Sequence, residues 1–257
     1  MNDYHPKITI ITVTFNAADT LERTLLSIES QTYDNIEHII KDGGSTDATL
    51  QLAEAYKQRN PQKNIVVTAQ PDKGLYDAMN AAIRLSTGDY ICFLNAGDKL
   101  HSNDTIERLV ETVPAKTTPA VIYGETDIVD NEGQFLSHRR LKAPEKLAAK
   151  SFANGMMICH QSFYVLREIA FPYDTKYRFS ADFDWCIRIM KEAEQLNMPF
   201  VNTHMVLTDY LNEGKTTKNH KASLMERFRI MSKHYGFIPT LFRHIYFAIR
   251  SIGKPIN

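Results

Sequence analysis

From Ile8 to Phe15 the chain is almost continuously apolar and rich in β-branched residues, the pattern of a strand covered on both faces. Asn16 and Asp19 then open a stretch carrying Leu21, Leu25, Leu26 and Ile28 at helical spacing. The alternation continues with strands over Ile36 to Ile40, Ile65 to Thr68 and Tyr90 to Leu94, separated by helices over Thr46 to Tyr56 and Tyr76 to Leu85. Strand–helix alternation at this spacing predicts a parallel sheet with right-handed crossovers. Such sheets bind ligands outside the carboxyl ends of their strands, and here those ends are the polar, glycine-rich loops.

After Asp98 the rhythm changes. A helix is expected from about Asn103 to Val113, a strand near Val121 to Gly124, and a hairpin turn at Asp130-Asn131-Glu132-Gly133. A further strand at Gln161 to Leu166, a helix at Asp182 to Ala193 and a mixed apolar stretch from Phe200 to Tyr210 follow. The tail from Lys218 reads as two helices broken at Gly236 and Pro239. With no repeat or Gly/Ser/Pro-rich linker, the expectation is a catalytic domain over 1–217 with a basic helical extension over 218–257.

Composition narrows the class. The 257 residues include 43% hydrophobic and 23% charged, which excludes a mainly disordered chain and a disulfide miniprotein. The three cysteines are odd in number and widely spaced, so reduced core thiols are expected. Thirty basic and thirty acidic residues cancel, but residues 215–257 hold nine Lys/Arg against the single acid Glu226. The body is acidic and the tail basic, which points the tail at an anionic partner. Lys and Arg interleave there with Phe228, Ile230, Tyr235, Phe237, Phe242, Ile245 and Ile249. An anionic membrane surface suits that mixture, while packing on the domain or a dimer interface explains the apolar residues equally well. Nucleic acid is disfavoured by the acidic body. No run is long enough to span a bilayer and the N-terminus reads directly into a strand, so the expected location is cytoplasmic, peripheral on the inner membrane face through the tail.

The loops carry acids instead of a phosphate-binding glycine loop. Thr14-Phe15-Asn16 ends the first strand, which disfavours a dinucleotide Rossmann site, a P-loop and a nucleotidyltransferase. Asp42, Asp72 with Asp77, and Asp98 follow the second, third and fourth strands. Carboxylates facing a phosphorylated ligand need a cation between them, or a base or ribose to accept hydrogen bonds from, so a metal-bridged nucleoside diphosphate is expected. Turn and cap positions also favour Asp, and that plainer reading suits Asp19, Asp47 and Asp104.

Five strings in this order, Thr12-Val13-Thr14-Phe15-Asn16, Gln31-Thr32-Tyr33, Asp42-Gly43-Gly44-Ser45-Thr46-Asp47, Asp72-Lys73-Gly74-Leu75-Tyr76-Asp77-Ala78-Met79-Asn80 and Phe93-Leu94-Asn95-Ala96-Gly97-Asp98, resemble glycosyltransferase family 2 over about residues 7–215. That resemblance implies an α/β fold of the GT-A type: a Rossmann-like mixed sheet flanked by helices, with a helical C-terminal extension. It implies an inverting enzyme that moves one sugar from a nucleotide-diphospho sugar, UDP-linked by preference, to a glycan or polyprenyl-linked acceptor, with Mn²⁺ or Mg²⁺. Thr14 and Asn16 would then lie along the nucleoside, Asp42 on the base, Asp72, Lys73 and Gly74 on the ribose and sugar, and Tyr76 and Asn80 beside them.

Asp98 belongs to the family's metal-binding acidic motif, but Asn95 and Gly97 replace acids there, so the cation would rest mainly on Asp98 and the diphosphate. Asp182 matches the family's general base, with Ala181 in place of the usual acidic neighbour. Asp184 lies about 200° round the same helix and is expected to face elsewhere. His160 and Gln161 resemble a family position near the acceptor, against the plain alternative of a structural histidine. Lys215 would close over the diphosphate, against an ordinary solvated loop. The family's processivity motif (Gln, two residues, Arg, Trp) is absent, as expected for single-sugar addition. The missing acids leave a silent nucleotide-sugar binding protein as the rival reading.

Overall fold

The structure is a computed structural model that describes residues 4–212 and 220–252. Among these residues nine strands form one sheet. Its first half is the predicted alternation: β1 (Ile8–Thr14), α1 (Ala18–Glu29), β2 (Ile36–Asp42), α2 (Thr49–Arg59), β3 (Asn64–Ala69), α3 (Leu75–Leu85) and β4 (Tyr90–Phe93). The order β3-β2-β1-β4 is parallel throughout, with Ile8 opposite Ile36 and Tyr90, and Thr14 opposite Asp42. Every residue of β1 and β4 is buried, which is why these strands read as apolar runs rather than alternating ones. Helix α1 buries Leu21, Thr24, Leu25 and Ile28, whereas Leu26, counted with the apolar stripe from sequence, is half exposed.

The second half turns the sheet mixed. It comprises β5 (Lys99–Leu100), α4 (Thr105–Glu111), β6 (Val121–Val129), β7 (Phe135–His138), β8 (Phe163–Leu166), α5 (Ala181–Gln195) and β9 (Phe200–Leu211). β8 lies antiparallel between β4 and β6, β9 runs parallel to β6, and β5 closes the far edge antiparallel to β9. The hairpin turn at Asp130–Gly133 joins β6 to β7, as expected.

The tail forms α6 (His220–Tyr235) and α7 (Phe237–Ile252). The break falls at Gly236, whose φ of 91° is easy only for glycine. Pro239, expected to be a second break, instead sits in the first turn of α7, where backbone N–H groups have no intrahelical partner to lose. Helix α6 shares the core, with Ile230 and Met231 buried among the same side chains as Trp185 and Phe183. The three cysteines are free thiols.

Candidate active site

The C-terminal ends of β2, β1 and β4 lie side by side, and the acid-bearing loops follow them. Asp42 ends β2 with its carboxylate saturated: Oδ1 accepts from the Gly44 and Ser45 N–H groups (2.9 and 2.8 Å), and Oδ2 from the Ser45 and Thr14 hydroxyls (2.5 and 3.0 Å). Burial pushes this carboxyl up, but those bonds outweigh it and hold it below the ordinary aspartate value. Its four acceptor positions are taken, so a base N–H reaches it only by displacing a rotatable hydroxyl. Asn16 adopts a left-handed φ of 49° and its side-chain oxygen accepts from the Thr46 N–H (2.9 Å), which ties the first two loops together. A methyl group placed on Gly43 would lie 3.3 Å from Asp72 Oδ2 and 3.5 Å from the exposed Phe15 ring. The loops after β1, β2 and β3 therefore meet around one backbone position.

Asp72 is anchored by a residue the sequence reading passed over. Lys41, 2% exposed inside β2, gives its ammonium to Asp72 Oδ2 (2.6 Å) and to the carbonyls of Asp42 (2.9 Å) and Gln70 (2.7 Å). The signal was a lysine breaking an otherwise buried strand one residue before Asp42. Lys73 and Gly74 are exposed on the rim, and the Lys73 N–H donates to Asp77 (3.0 Å) at the start of α3. Asn80 sits deeper than a donor contact requires: its amide exchanges two hydrogen bonds with the Tyr173 backbone (3.0 and 2.6 Å) and holds that loop against α3. Lys215 lies outside the described residues.

The second group surrounds the start of α5. Asp182 Oδ1 accepts from the Tyr76 hydroxyl (3.1 Å), and Oδ2 lies 3.5 Å from His160 Nδ1. His160 Nε2 in turn lies 3.4 Å from the Asn95 amide nitrogen. One tautomer satisfies both contacts, with Nδ1–H donating to Asp182 and Nε2 accepting from Asn95. A continuous chain therefore runs Tyr76–Asp182–His160–Asn95, joining α3, α5 and the loop after β4. Burial pushes the Asp182 carboxyl up, but His160 and then Arg227 outweigh it, so it stays below the ordinary aspartate value. Its side chain is 17% exposed, so a hydroxyl can still reach it.

Gln161, next to His160, extends the network to Asp98 by donating from Nε2 to Oδ2 (2.8 Å), while the Leu211 N–H donates to Oδ1 (2.9 Å). Burial raises the Asp98 carboxyl to about 6. The Asn95 side-chain oxygen is buried with no hydrogen-bond partner. An orphaned oxygen and a buried carboxylate fit a divalent cation, which would satisfy the first and offset the cost of charging the second. They provide a single protein carboxylate, so phosphate and water must supply most of the coordination. Gly97 shows why an acid is missing there. Its φ is 100°, and a Cβ would fall 2.7 Å from the Leu211 side chain.

A different group also fits a divalent cation. Among the described residues, His101, Asp127 and Asp209 place three ligand atoms within 4.8 Å of one another. It lies across β6 and β9, where Asp127 and Asp209 are paired in register, and does not include Asp98. The same carboxylates are matched by Lys99 and His101 on Asp209 (3.0 and 2.7 Å) and His138 on Asp127 (2.8 Å). A cavity of about 210 Å³ lined by Tyr33, His38 and Tyr56 touches none of these acids.

The extension completes the start of α5. Glu226 on α6 accepts from three backbone N–H groups, those of Arg178 (2.8 Å), Phe179 (2.7 Å) and Ser180 (3.0 Å), directly before Ala181 and Asp182. Asp184, fully buried, faces away from Asp182 as expected and pairs with Arg188 (2.7 Å), His234 (2.8 Å) and Lys233 (3.5 Å). Two of those partners lie on α6. The sequence leaves packing of the extension on the domain as one of its readings without pointing it at the site, and the one acid in a basic tail is the available signal.

Several known proteins are similar to this chain. The family model described as Glycosyl transferase family 2 matches residues 9–172. A PGL/p-HBAD biosynthesis glycosyltransferase of Mycobacterium tuberculosis is 32% identical over 212 residues, covering 81% of this chain and 78% of that protein. The amylovoran biosynthesis glycosyltransferase AmsB of Erwinia amylovora is 29% identical, covering 82% and 72%. Among solved structures, S. aureus TarS 1-349 in complex with UDP-GlcNAc superimposes with a TM-score of 0.65 at 15% identity, over 94% of this chain and 73% of that one. The mannosyltransferase PcManGT from Pyrobaculum calidifontis, in complex with GDP-Man and Mn2+, gives 0.61 at 15% identity, over 99% and 77%. With the family match spanning residues 9–172 and a mixed sheet of the GT-A type beneath it, the chain belongs to glycosyltransferase family 2, enzymes that transfer a sugar from a nucleotide-sugar donor to an acceptor.

Proposed function

We propose that this glycosyltransferase adds a single sugar, with inversion, from a UDP-linked donor to a glycan or polyprenyl-linked acceptor. The observation that carries the proposal is the chain Tyr76–Asp182–His160–Asn95, which sets one ionised carboxylate beside the loop that ends in Asp98. The acceptor hydroxyl attacks the anomeric carbon from the face opposite the departing diphosphate, and Asp182 takes its proton. His160 and Tyr76 hold the carboxylate in one rotamer and limit the directions from which a hydroxyl can approach it. Asn95 and Asp98 would hold Mn²⁺ or Mg²⁺, which supplies positive charge to the diphosphate as it leaves. Thr14, Asn16, Asp42, Asp72, Lys73 and Gly74 form the nucleoside and ribose side of the cleft, with Lys215 as a further cation for the phosphates. The UDP assignment draws support from Asp42, buried at the end of β2 with two rotatable hydroxyls that a base N–H would displace, and from the UDP-GlcNAc bound by TarS.

The anomeric configuration of the product, read by NMR, tests the mechanism. Inversion is expected, and a retained configuration would rule out Asp182 as base in a single displacement. The cation assignment has its own test. Asp98→Ala should weaken UDP binding at least tenfold (about 1.4 kcal/mol) in the presence of Mn²⁺ and hardly at all in chelator, by calorimetry. An equal loss in both conditions would remove the cation from Asp98.

The two carboxyls also separate by pH. Asp98 has its value raised to about 6, so it loses its charge as pH falls through that point. Asp182 lies below the ordinary value and keeps its charge to lower pH. At sub-saturating Mn²⁺, where the proton competes with the cation for Asp98, donor affinity should therefore fall between about pH 7 and 5 while kcat at saturating donor and cation holds. A kcat limb near pH 6 with constant donor affinity would overturn this division.

A further inference from the structure

Helix α7 presents its more apolar side outward. Ile238, Leu241, Phe242, Ile245 and Ile249 are 65, 40, 66, 48 and 64% exposed. At 100° per residue they fall within about 100° of the helix circumference. The face turned to the protein lies opposite and is the more polar one. Thr240 is fully buried, Arg243 donates to the Ala153 carbonyl (3.2 Å) and to the Asn154 side chain (2.5 Å), and the His244 ring meets Phe228 at 5.0 Å. A helix whose only neighbours were this domain and water would carry the reverse arrangement. Phe237 and Tyr246 widen the exposed stripe at its edges, 60 and 59% exposed.

We infer that this face of α7 docks on an anionic lipid surface, with the helix lying in the plane of the interface. Charge selects lipid over a second copy of the chain. α7 contains no acidic residue, and residues 215–257 carry nine Lys/Arg against Glu226 alone. Two such tails face to face would repel, whereas a bilayer of anionic headgroups attracts each of them. Length selects an in-plane helix: the 16 residues of α7 span roughly 24 Å by helical rise, and among the described residues no helix is long and apolar enough to cross a membrane. Basic residues on exposed positions of α6, Lys221 and Arg229, add to the field. The surface rests on its own geometry and does not depend on the identity of the acceptor.

The test is flotation of the full chain with vesicles of phosphatidylcholine and phosphatidylglycerol in equal parts, and with phosphatidylcholine alone. Phe242→Asp with Ile249→Asp is the informative variant, because both side chains point away from the protein and their loss leaves the fold intact. Removing residues 218–257 is not, since it also takes away Glu226 and two of the partners of Asp184, Lys233 and His234. The wild type should float with the anionic vesicles, bind the neutral ones far more weakly, and lose binding as salt rises. The double variant should bind anionic vesicles at least about tenfold more weakly, with unchanged thermal midpoint and unchanged transfer to a soluble acceptor. Absence of vesicle binding, or binding that the variant leaves intact, overturns the inference. So does light scattering that shows a wild-type dimer dissociated by the variant, which would assign the face to a second copy.

Discussion

Asp182→Asn should lower kcat by about 10²–10⁴-fold while leaving donor affinity almost unchanged, the range by which a positioned base accelerates proton transfer. The substitution preserves shape and keeps an oxygen for the Tyr76 hydroxyl, so α5 has no reason to move. It removes the charge that receives the proton and places an amide N–H opposite His160 Nδ1. His160 would have to change tautomer, and its Nε2–H would then face the Asn95 Nδ2 amide, donor against donor. The variant is read by steady-state kinetics beside UDP calorimetry and a melting curve. Asp184→Asn, two residues along the same helix, is the control. That carboxyl is fully buried and held down at about 2, against the cost of burial, by His234, Arg188 and Lys233. Its loss should lower the melting point and leave kcat per folded molecule close to wild type. If Asp182→Asn instead behaved like Asp184→Asn, the base assignment would fail.

The contrast between these two aspartates shows what the sequence makes legible. Their separation round a helix follows from spacing alone, and α5 obeys it. The same local physics fixes β1 through α3: strands buried on both faces and helices with one apolar stripe announce themselves over a few residues. β5 does not, because its two residues are a strand only through pairing with Asp209 and Thr208 of β9. β7, whose exposed Phe135 and Leu136 carry no burial pattern, announces itself only through the hairpin turn before it. In the site, the acids at strand ends were visible because topology dictates where ligands bind. What they touch was not. Lys41 reaches Asp72 across 31 positions of chain, and Asn80 is taken up by Tyr173 across 93. Asp47 behaves as the turn residue it resembled, accepting from the N–H groups of Ala18 and Thr49. The acid missing at Gly97 is explained only by the backbone angle and by Leu211, neither of which leaves a mark in the sequence near it.

Glu226→Ala should destabilise the protein by about 3 kcal/mol and depress kcat by more than that loss of folded enzyme explains. One carboxylate there accepts three backbone N–H groups that have no other helical partner, and charge-assisted bonds of this kind are individually worth about 1.5–3 kcal/mol, offset where water can take over. For a chain of this size the melting point should fall by roughly 6–12 °C. The kinetic effect follows from where the three groups lie, directly before the turn that carries Asp182. A displacement of that turn by about 1 Å is enough to cost up to 100-fold in rate, because the base must meet the acceptor hydroxyl at hydrogen-bond distance. Donor affinity is set by the loops after β1, β2, β3 and β4 and should change little. Glu226→Gln keeps an oxygen acceptor in the same place, so it should recover most of the stability and part of kcat. A merely structural contact would give a different pattern, with the melting point lowered, kcat per folded molecule unchanged and nothing for glutamine to rescue in the rate. That pattern would confine α6 to packing, whereas a kcat loss rescued by glutamine makes the basic extension part of what aims the catalytic carboxylate.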